Sequence, residues 1–417
     1  MTLADVPLVL MLVGLTAYAV LGGADFGAAF WQLGTGRDPQ SEARREHAYR
    51  AMGPVWEANH VWLVLVLAIC WTAYPDVFAS IFSTLTVPLF AAAVGIILRG
   101  TAYAVHAGTA REIERRAVDA VFSVSSVVTP FALGAVIGGI ASGRVPVGNA
   151  EGDPVTSWLN PSSIAIGALA VATGVYLASV YLAGDAARAG HDELTAQFRT
   201  RALAAGGATG ALAVAALVVV SLDSERLRSG LFGWPAILAV VASAIAGLTT
   251  LEFVRRSRFE AGRYGAAAAV AAIIVGWALA QQPELLPGLT VEEAAAGRPV
   301  LLATIVGVAL GALVLVPSLA LLFGLVLRGR FDREGLRAEV GDEPTAVPLR
   351  PRPLGTLAVL ALAVGLPLTL VFDGGPLLAA GVAVLLASVA LGWAVLGSAV
   401  AAEADQQERD RALGRRR

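Results

Sequence analysis

Three polar side chains fall within one helical turn at the start of the apolar stretch "GPVWEANHVWLVL" (residues 53–65). They are Glu57, Asn59 and His60, and a further carboxylate, Asp25, interrupts the apolar run 6–36. An ionisable group inside a membrane helix costs about 2.5–3.5 kcal/mol on insertion scales, so it marks a functional site or a buried ion pair. Carboxylates and imidazoles are the groups that relay protons in proteins. These residues therefore predict proton transfer within a membrane.

The composition indicates an integral membrane protein. Of the 417 residues, 57% are hydrophobic and 15% are charged, and the mean hydropathy is +0.71, well above that of a soluble domain. A net charge of −2 gives no extended positive surface for nucleic acid, and a single cysteine excludes an internal disulfide and a multi-thiolate metal site.

Runs of about 20 apolar residues are needed to cross a bilayer. Eleven such runs are present. The first two, 6–36 and 51–75, each contain one carboxylate, and the other nine contain no Asp, Glu or Arg: 77–98, 120–143, 154–184, 202–222, 229–251, 264–283, 299–327, 353–372 and 374–402. The expected fold is an all-α polytopic membrane protein with about eleven transmembrane helices.

The distribution of arginine predicts the orientation, because basic residues in short loops stay in the cytoplasm. The segments after the odd-numbered spans hold 26 arginines and the opposite side holds four, at positions 144, 226, 228 and 298. This places the amino terminus outside and the carboxyl terminus in the cytoplasm.

Four segments follow from the same pattern. We expect a nine-helix body at 1–330, a cytoplasmic linker at 331–352, a two-helix membrane hairpin at 353–402 and a basic cytoplasmic tail at 403–417. No loop is long enough to form a soluble catalytic domain, so any chemistry must take place in the membrane or on a partner.

Polar groups from four spans converge on one cytoplasmic layer. Asp25 and Glu57 are expected at similar depth on neighbouring helices, Arg99 ends the apolar part of the third span, and Asp119 and Ser123 open the fourth. Such a cluster is typical of a proton entry path. Arg99 neutralising a carboxylate to lock the bundle is an equally good interpretation, with Arg99 and Asp119 expected at the membrane interface rather than buried.

Axial haem ligands are scarce. The chain has four histidines and three methionines, and only His60 and His106 lie near the membrane. We expect no haem and no metal in this chain alone; a pair of His60 with His106 stays open as the geometric alternative. His60 is otherwise a candidate relay residue.

Four segments resemble subunit II of the cytochrome bd-type quinol oxidases. They are "GGADFG" in the first span, "GPVWEANHVWLV" in the second, "LRGTAY" in the third, and the block at 291–329 beginning "VEEAAAGRPV". Their order and spacing match over about residues 1–330.

The resemblance implies a subunit of a respiratory complex of the bacterial cytoplasmic membrane that oxidises quinol and reduces dioxygen. It implies that subunit I carries haems b and d, that Asp25 and Glu57 belong to a cytoplasmic proton path, and that Trp56, Asn59 and Arg99 lie near the interface with the partner's haems. A structural quinone, membrane lipids and a small accessory subunit are further candidate partners.

The chain departs from the family at two places. Ala104, Val105 and His106 follow "LRGTAY" where a charged run is usual, and residues 353–402 add a hairpin. That hairpin is expected to replace an accessory subunit or to cover a lipid-facing surface.

Two other functions compete with the oxidase subunit. A stand-alone proton-coupled transporter would use Asp25 and Glu57 for the coupling ion, although the second half holds no counterpart of either motif. A pure scaffold would use the same acids only to pair with the partner.

Overall fold

The computed structural model describes residues 2–31, 43–44, 47–48, 56–106, 112–327, 353–371, 375–388 and 391. The chain divides into two compact units, Met1–Glu343 and Pro344–Arg417, and each is described by itself. Within the second predicted span the backbone is described from residue 56, but the side chains at 56–58 are not.

The first unit is a bundle of α-helices joined by short loops. In chain order they are α1 (Asp5–Ala17), α2 (Gly23–Phe30), α3 (Trp56–Ala73), α4 (Pro75–Thr84), α5 (Thr86–His106), α6 (Glu112–Ala141), α7 (Pro161–Arg188), α8 (Asp192–Asp223), α9 (Glu225–Leu231), α10 (Trp234–Arg255), α11 (Phe259–Gln281), α12 (Val291–Ala294) and α13 (Arg298–Leu327). A small antiparallel hairpin, β1 (Glu284–Leu286) with β2 (Leu289–Thr290), precedes α12.

The first span contains a π-helical turn. Residues Tyr18–Gly22 adopt this wider turn between α1 and α2, so the span Asp5–Phe30 is one continuous helical rod with a local bulge. Single π-turns occur mostly inside α-helices and often at functional sites. This one lies directly before Asp25.

The second predicted span ends in a sharp bend. Residues Asn59–Ala73 and Pro75–Thr84 are related by an angle of 119°, because Tyr74 leaves the helical region at φ −138° and ψ 65° and Pro75 starts a new helix. The predicted third span, 77–98, is therefore wrong in its boundaries. Its first part belongs to α4, and the span proper is α5.

Among the described residues, eight helices are long and apolar enough to cross a membrane, and a ninth span results if the bent pair counts as one. The chain is thus an all-α polytopic, multi-pass membrane protein. The count of eleven is not reached by these criteria, and the orientation of the termini stays a prediction.

The second unit contributes two shorter apolar helices, α14 (Pro353–Val371) and α15 (Gly375–Ser388). They pack on each other: the Ser388 hydroxyl donates to the Ala358 carbonyl at 2.8 Å, and a Cβ at Gly381 would come within 2.8 Å of Leu368 Cβ. The predicted linker 331–352, the end of the hairpin at 392–402 and the tail 403–417 lie outside the described residues.

Glycines bring α2 and α7 into backbone contact. A Cβ built on Gly27 would lie 1.9 Å from the Gly174 carbonyl oxygen, and one on Gly174 would lie 2.6 Å from the Gly23 carbonyl oxygen. Small residues permit this close approach in a membrane, where packing drives helix association. The contact places Asp25, between Gly23 and Gly27, inside the bundle.

A second close contact joins α5 and α6. A Cβ at Gly95 would lie 2.2 Å from the Thr129 hydroxyl oxygen. Gly95 is one helical turn before Arg99, so this contact holds the arginine against the polar residues of α6.

Candidate functional site

The centre of the candidate site is a buried ion pair between α2 and α5. Arg99 Nη2 lies 2.6 Å from Asp25 Oδ1, and the two side chains are 4% and 1% exposed. The same nitrogen donates to the Asp25 backbone carbonyl at 3.1 Å. Arg99 Nη1 donates to the hydroxyl of Ser126 on α6, so three helices meet at one guanidinium.

Aromatic rings enclose the guanidinium on two sides. Its carbon lies 4.8 Å from the centroid of Phe26 and 4.5 Å from that of Phe122. The negative faces of aromatic rings stabilise a cation, and more so where water is excluded. Phe26 follows Asp25 directly, so the residue that pairs with the arginine and one that covers it are neighbours in sequence.

The expected interfacial position of Arg99 is wrong, because the side chain is buried. Two circumstances make burial tolerable: the arginine lies inside α5 rather than at its end, and a carboxylate, a carbonyl, a hydroxyl and two rings replace water around it. A buried charge is retained only when it is paired and hydrogen-bonded in this way.

Asp25 uses only part of its bonding capacity on this pair. Its Oδ1 accepts from Arg99, whereas Oδ2 is buried and has no hydrogen-bond partner among the described residues. A carboxylate has room for about four hydrogen bonds. Within the described part of the chain, Oδ2 thus keeps its hydrogen-bonding capacity unused while Oδ1 is held by Arg99.

Asn59 and His60 on α3 contact the π-helical turn and α2. The Asn59 amide donates to the Leu21 carbonyl at 3.2 Å. The His60 ring packs edge-on against Tyr18 and Phe26, with centroids at 6.1 Å and 6.3 Å. Both residues thus contact the segment that carries Asp25.

Asn59 is buried within the chain, and its predicted position near the interface with the partner's haems stays a prediction. Only 2% of the residue is exposed, and its amide is bonded within the chain. Its role in this structure is to hold α3 against the π-helical turn. Arg99, at 3% exposure, is likewise inside the chain.

Asp119 and Ser123 lie on α6, on the amino-terminal side of the residue that contacts Arg99. Asp119 is half-buried and Ser123 is buried. With Ser126 they are spaced i, i+4 and i+7, which places all three on one helix face. A polar stripe therefore runs along α6 from near its start to Arg99.

Ser126 was not predicted from the sequence, although the helical spacing of the polar residues on α6 is visible there. Asp119 and Ser123 were identified one by one as residues that open the span, and the next position of the same spacing, Ser126, contacts the arginine. Helical periodicity applied to polar residues, rather than to apolar ones alone, is the signal that finds it.

Trp56 and Glu57 open α3, but their side chains lie outside the described residues. The predicted common depth of Glu57 and Asp25, and the role of Trp56, stay predictions. No group of three or more His, Cys, Asp or Glu side chains in the described ranges is placed to hold a metal ion.

A second ion pair joins the loop after α6 to the end of α8. Arg144 binds both oxygens of Asp223, at 2.7 Å and 2.8 Å, and the Ser162 hydroxyl donates to the same carboxylate at 2.6 Å. Hydrogen bonding to Asp223 raises the pKa of Arg144. The sequence did not predict this pair, since the two residues are far apart in the chain.

Comparison with known proteins identifies the fold and the family. A family model described as cytochrome bd terminal oxidase subunit II matches residues 3–326. A putative cytochrome bd menaquinol oxidase subunit II of Bacillus subtilis (strain 168) is 24% identical over 238 residues, which are 55% of this chain and 67% of that relative.

Two further similarities agree with this match. The cytochrome bd ubiquinol oxidase subunit 2 of the same organism is 26% identical over 133 residues, 32% of this chain and 38% of its own. A chain in the structure of bd oxidase from Geobacillus thermodenitrificans shares the fold, with a TM-score of 0.65 and 24% identity over 78% of this chain and 99% of its own.

The matched residues 3–326 contain α1 to α12, nearly all of α13 and both carboxylate-bearing motifs, in agreement with the resemblance noted in the sequence. The chain belongs to the cytochrome bd terminal oxidase subunit II family.

Proposed function

We propose that this chain is the haem-free subunit of a bd-type terminal oxidase, and that it supplies a cytoplasmic proton path ending at Asp25. The observation that carries the proposal is the buried Asp25, with one oxygen held by Arg99 and the other without a partner among the described residues. An acid kept ionisable inside a membrane bundle marks a proton or ion pathway.

The polar stripe of α6 supports an entry route from the cytoplasmic side. Asp119, Ser123 and Ser126 lead along one helix face to Arg99, and hydroxyls and carboxylates relay protons through intervening water. Glu57 on α3 is the second acid of the path. His60 beside Asp25 is a further relay candidate.

Subunit I is the proposed partner, and the haems b and d that it carries supply the electron transfer from quinol to dioxygen. The names of the relatives, a menaquinol and a ubiquinol oxidase subunit, support quinol as the reductant of the complex. Trp56 remains a candidate for the interface with subunit I. The complex would reside in the bacterial cytoplasmic membrane.

The hairpin of the second unit is proposed to cover a lipid-facing surface or to take the place of a small accessory subunit. Deleting 353–417 is expected to weaken assembly of the complex, measured by co-purification of subunit I. Full assembly and full oxygen uptake after the deletion would reject the covering role.

The proton path is tested with Asp25→Asn in the intact complex. Quinol-driven oxygen uptake is expected to fall about a hundredfold or more, since a hundredfold is the low end of what a positioned acid–base group contributes, while the visible haem spectrum is retained. Asp223→Asn, at the second ion pair, is the matched control and is expected to keep full activity.

The same experiment separates the alternatives. Loss of the haem spectrum together with activity would favour the scaffold, in which Asp25 only stabilises the assembly. Unchanged activity would reject the path through Asp25. The comparisons give no support to the stand-alone transporter, and a purified chain that moved protons without subunit I would be needed to revive it.

A further inference from the structure

Arg201 on α8 differs from the other arginines whose side chains are shielded from solvent. Seven described arginines are buried or half-buried. Six of them donate to a side-chain or backbone oxygen of the chain: Arg44, Arg99, Arg144, Arg199, Arg226 and Arg263. Arg201, the seventh, forms no hydrogen bond within the described part of the chain, and its Nη1 is buried. Shielded polar groups are normally hydrogen-bonded, so Arg201 needs an acceptor from elsewhere.

Two aromatic rings hold the guanidinium of Arg201. Its carbon lies 5.3 Å from the centroid of Trp31, which directly follows α2, and 5.5 Å from that of Phe198. Both rings are fixed: the Trp31 indole N–H donates to the Ser179 hydroxyl at 2.8 Å, and Phe198 is fully buried. Aromatic faces stabilise the positive charge, but they do not supply the oxygens that the five N–H donors of a guanidinium require. The rings thus position the cation and leave its donors available.

A second guanidinium is bound one helical turn away. Arg44 Nη1 donates to Gln197 Oε1 at 2.9 Å, and Gln197 precedes Arg201 by one turn on the same face of α8. The nearest acid along that face is Glu193, a further turn away and about 12 Å from Arg201 along the helix axis, and it accepts from Gln197 Nε2 at 3.3 Å. Two arginines are therefore brought together at one end of α8, as is typical of sites for phosphate.

The position of Arg201 along α8 indicates which kind of phosphate it meets. Arg201 is the last charged residue before the charge-free stretch 202–222, and Trp31 follows the helix of the first span. Arginine and tryptophan at the ends of apolar spans are typical of the headgroup level of a bilayer. Beyond Arg201, α8 exposes the small residues Gly207 and Ala208, and a Cβ at Gly207 would have open space. Acyl chains have room there, so a phosphate that carries them fits this depth.

We propose that Arg201, with Arg44 one turn away, binds the phosphate of an anionic phospholipid in the leaflet at this end of α8. A guanidinium and a phosphate form short, paired, charge-assisted hydrogen bonds, and the rings of Trp31 and Phe198 hold the guanidinium ready for them. The arginine distribution predicts that this is the cytoplasmic leaflet, whose anionic lipids attract basic groups. The site does not depend on the proposed proton path.

Lipid binding is measured with the intact complex after its lipids have been removed in detergent. Added phosphatidylglycerol is expected to raise the melting temperature, and the Arg201→Gln complex is expected to need about tenfold more of it, the factor that one hydrogen bond to a charged group contributes. Arg258 is exposed and lies on the same predicted side, so Arg258→Gln is the control and should respond as the native chain does. Equal lipid requirements of the native and Arg201→Gln complexes would overturn the site.

Two further probes identify the source of the phosphate. Phosphatidylcholine, whose phosphate is balanced by a choline cation, and inorganic phosphate are both expected to raise the melting temperature less than phosphatidylglycerol does at the same concentration. Inorganic phosphate that acted as well as phosphatidylglycerol would show a site for the free ion and reject the lipid. An equal effect of phosphatidylcholine would reject the preference for an anionic lipid.

A structure of the intact complex that resolves bound lipid gives a direct test. A lipid phosphate within hydrogen-bond distance of the Arg201 guanidinium would support the proposal, whereas a carboxylate of subunit I or of residues 32–42 in that place would overturn it. If Arg201→Gln does not assemble, Arg201→Lys decides, because lysine keeps the charge but not the paired hydrogen bonds. Weaker binding of phosphatidylglycerol by Arg201→Lys supports the site, and unchanged binding contradicts it.

Discussion

Two ion pairs between an arginine and an aspartate differ in how deeply they are buried and in how many carboxylate oxygens they use. Arg144 and Asp223 are 33% and 12% exposed and form two parallel hydrogen bonds, with Ser162 adding a third. Arg99 and Asp25 are 4% and 1% exposed, and one carboxylate oxygen has no partner among the described residues.

The difference is what we expect between a structural ion pair and one that takes part in the proposed proton path. At the half-exposed pair both carboxylate oxygens are used, although water is near enough to replace a lost partner. At the buried pair water cannot easily replace a lost hydrogen-bond partner, yet one oxygen of Asp25 has no partner among the described residues. A group whose bonding capacity is used up has nothing to exchange, so the oxygen of Asp25 that has no partner among the described residues supports the proposed proton path.

Removing Arg99 should have the largest effect. Arg99→Ala leaves Asp25 buried without a counter-ion, and breaking such a pair costs about 3–5 kcal/mol. We expect a strong loss of thermal stability and of assembled complex, measured by unfolding in detergent. The double variant Asp25→Leu with Arg99→Met should recover much of this stability without activity, since an apolar pair carries no desolvation cost. A stable Arg99→Ala variant would contradict the burial of the pair.

Gly27→Ala should come next, because it disturbs the packing that buries Asp25. The new Cβ would meet the Gly174 carbonyl oxygen at 1.9 Å, so α2 and α7 must move apart, at a cost of about 1–3 kcal/mol for overpacking. Gly210→Ala, with open space around its Cβ, is the control. Equal melting temperatures for both variants would show that the two helices are not in backbone contact.

Arg144→Ala should have a smaller effect. The pair is partly exposed, and we expect a loss of about 1 kcal/mol, seen as a modest decrease in melting temperature with normal oxygen uptake. A loss as large as that of Arg99→Ala would remove the contrast between the two pairs.

Ser162→Ala should have the smallest effect, a loss of about 0.5 kcal/mol at the low end of what one hydrogen bond contributes, since Asp223 keeps both bonds to Arg144. Ser126→Ala is its counterpart at the buried pair. Because Arg99 Nη1 would be left without that acceptor in a buried site, we expect Ser126→Ala to be the more destabilising of the two serine variants in the same unfolding measurement.

Part of the site was predictable because a membrane sequence makes polar residues conspicuous. Asp25 and Glu57 interrupt long apolar runs, so each attracts attention without any structure. Ser126 does not, because serine is common in membrane helices, and what makes it relevant is its contact with Arg99.

The errors have a common origin. The boundary of α5 and the interfacial position of Arg99 were both inferred from where an apolar run ends, but a run free of charges cannot distinguish one straight helix from two helices that meet at Leu85. The helix α5 continues past the end of the apolar run to His106, so Arg99 lies inside it. The side chain of Arg99 can be buried there because its partners replace the water around it.

By itself, the sequence determined the class of the protein, its apolar helices, the acids inside them and its family, because each depends on local composition and short motifs. Only the tertiary structure decided that Asp25 pairs with Arg99, that Ser126 completes the pair, and that one carboxylate oxygen lacks a partner among the described residues. Those facts depend on how closely helices that are far apart in the chain approach one another: Gly95 lets α5 come close to Thr129 of α6, and Gly27 lets α2 pack against the backbone of α7 at Gly174.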